Sequence, residues 1–290
     1  MNLKNLTQPF TLKNKVLKKK NPNISLQVPL FRGIDGKIIN DVLGFYKEEK
    51  DATGKVQITP INNYLREFIN SYNNTDGNSR ILGKKTKQAL ASLRAYIIET
   101  ITESKNSILE NEINEFLKKA NLKETDLLMV RSTGKYEDMK NLANPGGNDS
   151  FPCHANVQEI KKAVGKVVAS YFSEKSLGQR LTLKKENPAA ANITETYYPA
   201  VLLQKMIGEP ISKPGEKPEI TAKNIVSGVI YCTKEGTTIQ TAPGHCELVV
   251  NSKGPIDTVY VDPLGIVHQE IRIKDFKLSP QEEKPKKAQK

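Results

Sequence analysis

The sequence predicts a mixed α+β protein, and three observations carry that prediction. Apolar residues recur at helical spacing through most of residues 26–125. From about residue 200 onward, short β-branched runs alternate with turn residues. Between the two, an apolar run at Leu127–Val130 leads into an arginine, an acidic pair and a glycine-rich stretch. The expected organisation is a basic arm (1–25), a mostly helical part (26–125), a largely antiparallel sheet part (126–278) and a polar tail (279–290).

The elements follow in order. Residues 28–34 read as a strand or extended entry, and 37–46 as a helix through Ile38, Ile39, Val42, Leu43 and Tyr46. Residues 47–55 read as a charged turn. A helix over 60–72 carries Ile61, Tyr64, Leu65, Phe68 and Ile69 on one face, with Pro60 at its first position. Residues 73–79 form a loop by composition. Two longer helices span about 84–103 and 107–120. A further helix covers 160–171 and continues over 175–181, and 187–192 is a break. Strands are expected at 200–207, 225–233, 237–242, 247–250, 258–261 and 266–273. Residues 209–218 hold three prolines and a glycine and read as a surface excursion between two strands.

Composition narrows the class. With 290 residues the chain can bury a good core, as one large or two small domains. It is 37% hydrophobic and 26% charged, as soluble globular proteins are. No apolar run approaches the ~18 residues that span a bilayer. Residues 1–10 lack the uninterrupted apolar core of a signal peptide, so the cytoplasm is the default placement. Secretion by a route needing no such signal would leave the same signature. Three cysteines (Cys153, Cys232, Cys246) suit reduced thiols rather than a disulfide framework. The net charge of +12 is partly terminal: Lys13, Lys15, Lys18, Lys19 and Lys20 at one end, Lys284, Lys286, Lys287 and Lys290 at the other. Aromatic residues do not interleave with these runs, which argues against a nucleic-acid partner.

The chemistry concentrates in Val130-Arg-Ser-Thr-Gly-Lys-Tyr-Glu-Asp138 and Asn144-Pro-Gly-Gly-Asn-Asp-Ser-Phe151. An arginine at a strand end can grip phosphate oxygens bidentately, and glycines let backbone N–H groups approach an anion. Downstream come Ala169-Ser-Tyr-Phe-Ser-Glu-Lys-Ser176, Val201-Leu-Leu-Gln-Lys-Met206, Ser227-Gly-Val-Ile-Tyr-Cys-Thr233 and Gly244-His-Cys-Glu-Leu-Val-Val250. In this order the pieces resemble the nucleotide-binding domain of phosphoenolpyruvate synthase and pyruvate phosphate dikinase, over about residues 127–274.

The resemblance implies an ATP-grasp-like fold, with ATP and Mg²⁺ as cofactors. Arg131 would grip the phosphates, Gly146 and Gly147 would lie over them, Gln204 to Met206 would line the adenine pocket, and Glu247 would help hold Mg²⁺. Each residue has a plainer reading. Arg131 can pair with Glu137 or Asp138, Gly146-Gly147 can be a tight turn, Gln204 can be a solvent-facing strand residue, and Glu247 can cap a turn.

The chain departs from the family pattern in three ways. It has no Gly-Gly-Lys; Lys18–Lys20 and Gly83-Lys84-Lys85 are the nearest substitutes. Gln240 stands where an acidic residue is common, leaving Asp257 or Glu235 to compensate. His268 lacks the sequence context of a phosphohistidine, so a separate phosphohistidine or acceptor domain, or a partner, is expected. Cys153-His154 and His245-Cys246 lack the two-to-five-residue spacing of metal ligands. Cys153 has no orienting Asn or Asp to make it a nucleophile. Gly83-Lys84-Lys85-Thr86 lacks the upstream glycine of a Walker loop.

The expected function is ATP·Mg²⁺ binding for phosphoryl transfer. The alternative is a non-catalytic nucleotide-sensing or protein-interaction module that kept the fold. A basic nucleic-acid or membrane-surface binder is the third and weakest option.

Overall fold

The structure, a computed structural model, describes residues 28–73, 82–133, 138–139, 142–143, 148–183, 199–221, 225–244, 246–250 and 256–271. The side chains of residues 73, 138–139, 142–143, 179–183, 247–248 and 268–271 lie outside that description. The chain divides into two compact units, Met1–Glu219 and Ile220–Lys290.

In the first unit, β1 (Phe31–Ile34) is followed by α1 (Gly36–Leu43). Asp35 caps α1 by accepting the Lys37 N–H at 2.8 Å. The helix ends at Gly44, whose φ of 58° lets its N–H return to the Asn40 carbonyl.

The charged stretch after Tyr46 is not a turn but a hairpin, β2 (Tyr46–Lys50) and β3 (Val56–Pro60). Asp51 closes it by accepting the N–H groups of Thr53 and Lys55. Most of its side chains are exposed, so burial left no apolar alternation to read. Pro60 therefore ends a strand rather than starting a helix. α2 (Asn63–Asn73) begins after Asn62, whose Oδ1 accepts the Leu65 N–H at 3.1 Å.

α3 (Lys84–Thr102) and α4 (Ser107–Lys119) fall where their apolar periodicity put them. Asn106 caps α4 through the Ile108 and Leu109 N–H groups, and Lys118 and Lys119 complement its C-terminal dipole. β4 (Leu127–Ser132) carries Arg131. β5 (Asp138–Met139) and β6 (Leu142–Ala143) form a two-residue ladder just beyond it.

β7 (Phe151–His154) is a strand the sequence reading did not expect. It lies at the edge of the sheet, where Pro152 costs no interior ladder bond. α5 (Val157–Ser170) and α6 (Glu174–Leu183) follow, then β8 (Val201–Lys205) and the short β9 (Glu209–Pro210). The main sheet has the order β1-β8-β4-β7, and every pairing is antiparallel.

One face of that sheet is buried beneath helices. Leu128, Val130, Val201, Leu203 and Ile34 join α5 residues Ile160, Val164, Val167 and Val168 in a single core. α5 packs in turn on α3, where Gly165 brings the two backbones close. Phe172 stands edge-on to Phe45 and Phe68, with ring centroids 6.1 and 5.9 Å away, and closes the far end of the core.

The second unit opens with β10 (Ile220–Thr221). It then forms an antiparallel meander of β11 (Val226–Cys232), β12 (Thr237–Pro243), β13 (Asp257–Val261) and β14 (Val267–Ile271). Glu247–Val250, expected as a strand, is instead a short helix, α7, packed on β11 and β12. The sequence Glu-Leu-Val-Val carries β propensity, but Val249 is buried from the helix, so packing overrides the local preference. The helices and antiparallel sheets make the protein α+β.

Candidate functional site

β4 and β8 pair so that Met129 lies opposite Gln204 and Arg131 opposite Leu202. Successive strand side chains point to opposite faces. Leu128, Val130 and Leu203 therefore enter the core, while Met129, Arg131, Leu202, Gln204 and Met206 share the other face. Phe31 and Gly33 of β1 stand opposite Gln204 and Leu202 on that same face, and Pro152 stands opposite Met129. The result is a half-exposed apolar floor bearing one amide and one guanidinium. The Met206 N–H donates to the Leu127 carbonyl at 3.0 Å, which carries the ladder one residue past β8.

The Arg131 guanidinium donates through Nη1 to Gln204 Oε1 at 3.3 Å. Among the described residues no carboxylate pairs with it. Glu137 and the side chain of Asp138 lie outside the description. Arg131 thus stands beside a neutral partner, with most of its five donors left for an anion. Arg32, the arginine of β1, is the contrast: it donates from Nε to Glu112 at 2.6 Å and from Nη2 to Glu115 at 3.3 Å. A groove of about 1010 Å³ runs along Arg32, Glu112, Glu115 and Phe116. With that cation already neutralised, this groove is the poorer phosphate site.

Gly146 and Gly147 lie outside the described residues, as do Lys18–Lys20. Lys84 and Lys85 begin α3, where Gly83 makes no side-chain cap. Glu247 opens α7 in the second unit, four residues beyond the end of β12. Register there separates its two possible companions. Asp257 stands opposite Thr241, at the end of the sheet from which the chain continues to Glu247. Glu235 sits in the β11–β12 turn at the opposite end, a strand length of about 20 Å away. Thr233, donating to it in that turn, lowers the Glu235 pKa. Gln240 lies in mid-sheet between Val229 and Thr258. Among the described residues no cluster of three or more His, Cys, Asp or Glu side chains could hold a metal ion.

The first unit contains a second polar constellation, which the sequence reading missed. His154, fully buried, has Nδ1 3.0 Å from Glu159 Oε2 and Nε2 3.0 Å from Ser212 Oγ. Glu159 also accepts the His154 N–H, the Gly215 N–H and the Asn156 amide. Burial pushes the Glu159 pKa up, but these hydrogen bonds outweigh it and hold the carboxyl below its usual range. An ionised carboxylate only accepts, so Nδ1 donates to Glu159, and Nε2 meets the Ser212 hydroxyl. The readable signal was Asn156-x-x-Glu159, an N-cap residue with its acid partner at the start of α5.

Both ring nitrogens of His154 are thus engaged. Burial, aided by the Glu159 charge, pushes the neighbouring Cys153 thiol up to about 12. Cys153 faces Leu128 and the core, while His154 faces the other way, as neighbours on a strand must. Neither a metal site nor a thiol nucleophile is built here.

Residues 53–290 match the family described as pyruvate phosphate dikinase, AMP/ATP-binding domain. The chain belongs to that family. No curated protein matches it. Membership in this AMP/ATP-binding domain family fits the ATP-grasp-like fold. None of the described helices is long and apolar enough to cross a membrane.

Proposed function

We propose that this pyruvate phosphate dikinase-type domain binds ATP with Mg²⁺ and serves phosphoryl transfer, as the N-terminal domain of phosphoenolpyruvate synthase does. The observation that carries the reading is the Arg131–Gln204 pair on the open face of the β1-β8-β4-β7 sheet. Arg131 exchanges its neutral partner for phosphate oxygens, a gain because a charge-assisted bidentate contact is stronger than a single bond to an amide. Phe31, Met129 and Leu202 offer the adenine ring apolar surface, and Gln204 and Met206 border it with polar and backbone groups. Gly146 and Gly147 allow backbone N–H groups to cover the phosphates. Residues 126–278 form the nucleotide-binding part.

The carboxylates for Mg²⁺ are Glu247 and Asp257, which belong to one end of the second unit's sheet. Two carboxylates fit this ion, which takes its remaining ligands from phosphates and water. Mg²⁺, when bound, would neutralise charge on phosphoryl oxygens. The chain's own contribution is positioning and charge stabilisation, and the phosphoryl acceptor is a histidine on a separate domain or partner.

Titration calorimetry with ATP, with and without Mg²⁺, tests the reading on wild type and Arg131→Ala. The expected result is roughly micromolar, Mg²⁺-dependent binding that weakens at least tenfold in the variant, the loss of a charge-assisted contact of about 1.5–3 kcal/mol. The missing Gly-Gly-Lys and the Gln240 substitution favour the second reading, a non-catalytic module that kept the fold. A folded wild type that binds no ATP would sink the nucleotide reading and leave a scaffold that reuses the fold.

A further inference from the structure

The proline-rich excursion after β9 is held to the body of the first unit by a few polar contacts. The Ser212 hydroxyl meets His154 Nε2 at 3.0 Å, and the Gly215 N–H donates to Glu159 Oε1 at 2.9 Å. The excursion also closes on itself. Ile211 donates its N–H to the Glu219 carbonyl at 3.1 Å, and Glu219 returns its N–H to Ser212 Oγ at 2.9 Å. Lys213 donates its N–H to Glu216 Oε2 at 2.8 Å. Little apolar burial supports the attachment: Ile211 is 64% exposed, and residues 213–217 are all exposed. Gly208 and Gly215 have φ values of 124° and 88°, a backbone that glycine reaches freely at both positions.

We propose that this segment is a strap that opens and closes as a unit, with His154 and Glu159 as its latch. The latch side is pre-built. His154 is fully buried, and its orientation is fixed by Glu159, which the Asn156 cap holds in turn. The strap side is two polar groups on an exposed loop, so it belongs to the least stable part of the first unit. The strap is the last stretch of the first unit before the chain enters the second. Its own bonds among Ile211, Ser212 and Glu219 close it independently of the latch, so opening frees it from His154 and Glu159 as one piece. The inference is independent of the nucleotide reading.

Hydrogen exchange and cleavage by a glutamate-specific protease test this on the full chain. Cleavage is read after Glu216, because Lys213 and Lys217 each precede proline and resist trypsin. In wild type the amide of Gly215, whose acceptor is Glu159, should be protected, and Glu216 should be cut slowly. Ser212→Ala should speed both about tenfold, and Glu159→Gln at least as much, while β4 and β8 peptides keep their wild-type exchange. Ser212→Ala leaves the His154–Glu159 pair intact, so it carries the test even where Glu159→Gln folds poorly. The proposal fails if wild type is cut at Glu216 as fast as an unfolded peptide of that sequence. It fails equally if Ser212→Ala changes nothing, or if it accelerates exchange of the core strands to the same extent.

Discussion

Gly165 sits in the middle of α5 where that helix crosses α3. A methyl group added there would meet Ile98 Cα at 3.1 Å, the Ile98 carbonyl oxygen at 3.2 Å and Ile101 Cβ at 3.6 Å. Two effects compete in Gly165→Ala. Helix propensity favours alanine by about 1 kcal/mol. Against it, the two nearest atoms are backbone atoms of a packed helix, which cannot rotate aside, and overpacking of this kind costs about 1–3 kcal/mol. The contact should win, leaving the variant destabilised by about 1 kcal/mol. Gly165→Val adds two further carbons and gives up the propensity gain, so it should lose about 3 kcal/mol or more. Urea unfolding followed by circular dichroism reads both values. In a unit of this size each kcal/mol corresponds to about 2–4 °C in Tm. An alanine variant more stable than wild type would refute the reasoning, because it would mean that α3 and α5 separate freely and that this contact does not set their spacing.

Thiol reactivity should split the three cysteines. Cys232 and Cys246 are exposed and should react promptly with a disulfide reagent near pH 8, whereas Cys153, buried with its pKa pushed up to about 12, should react only on unfolding. A third fast equivalent in the native protein would contradict the placement of β7. The Glu159 carboxyl gives a pH prediction of definite sign. Its folded-state pKa lies below the unfolded value, so its contribution to stability is complete above about pH 5 and is lost as pH falls through the folded value. Comparing wild type with Glu159→Gln, the stability difference at neutral pH should shrink on acidification. A difference that grows in acid would mean the carboxyl is not held ionised by its four donors.

The sequence by itself determined what depends on local periodicity and on motif order. The faces of α1 to α5 and the strands that carry Arg131 and Gln204 were legible because burial imposes apolar spacing of 3.6 or 2, and the meander strands because β-branched runs alternate there with turn residues. The family was legible because several short pieces follow one order over about residues 127–274. Tertiary structure decided what depends on partners distant in sequence. The β2–β3 hairpin is polar and mostly exposed, so no alternation announced it. α7 is helical against its β propensity because Val249 packs inward. Sequence left Asp257 and Glu235 equivalent as companions to Glu247, and only strand register put them at opposite ends of a sheet. In the sequence, His154 stood only as half of a Cys153-His154 pair without metal-ligand spacing. Its role rests on Ser212, 58 residues away, because a buried imidazole must find partners for both nitrogens wherever the fold brings them.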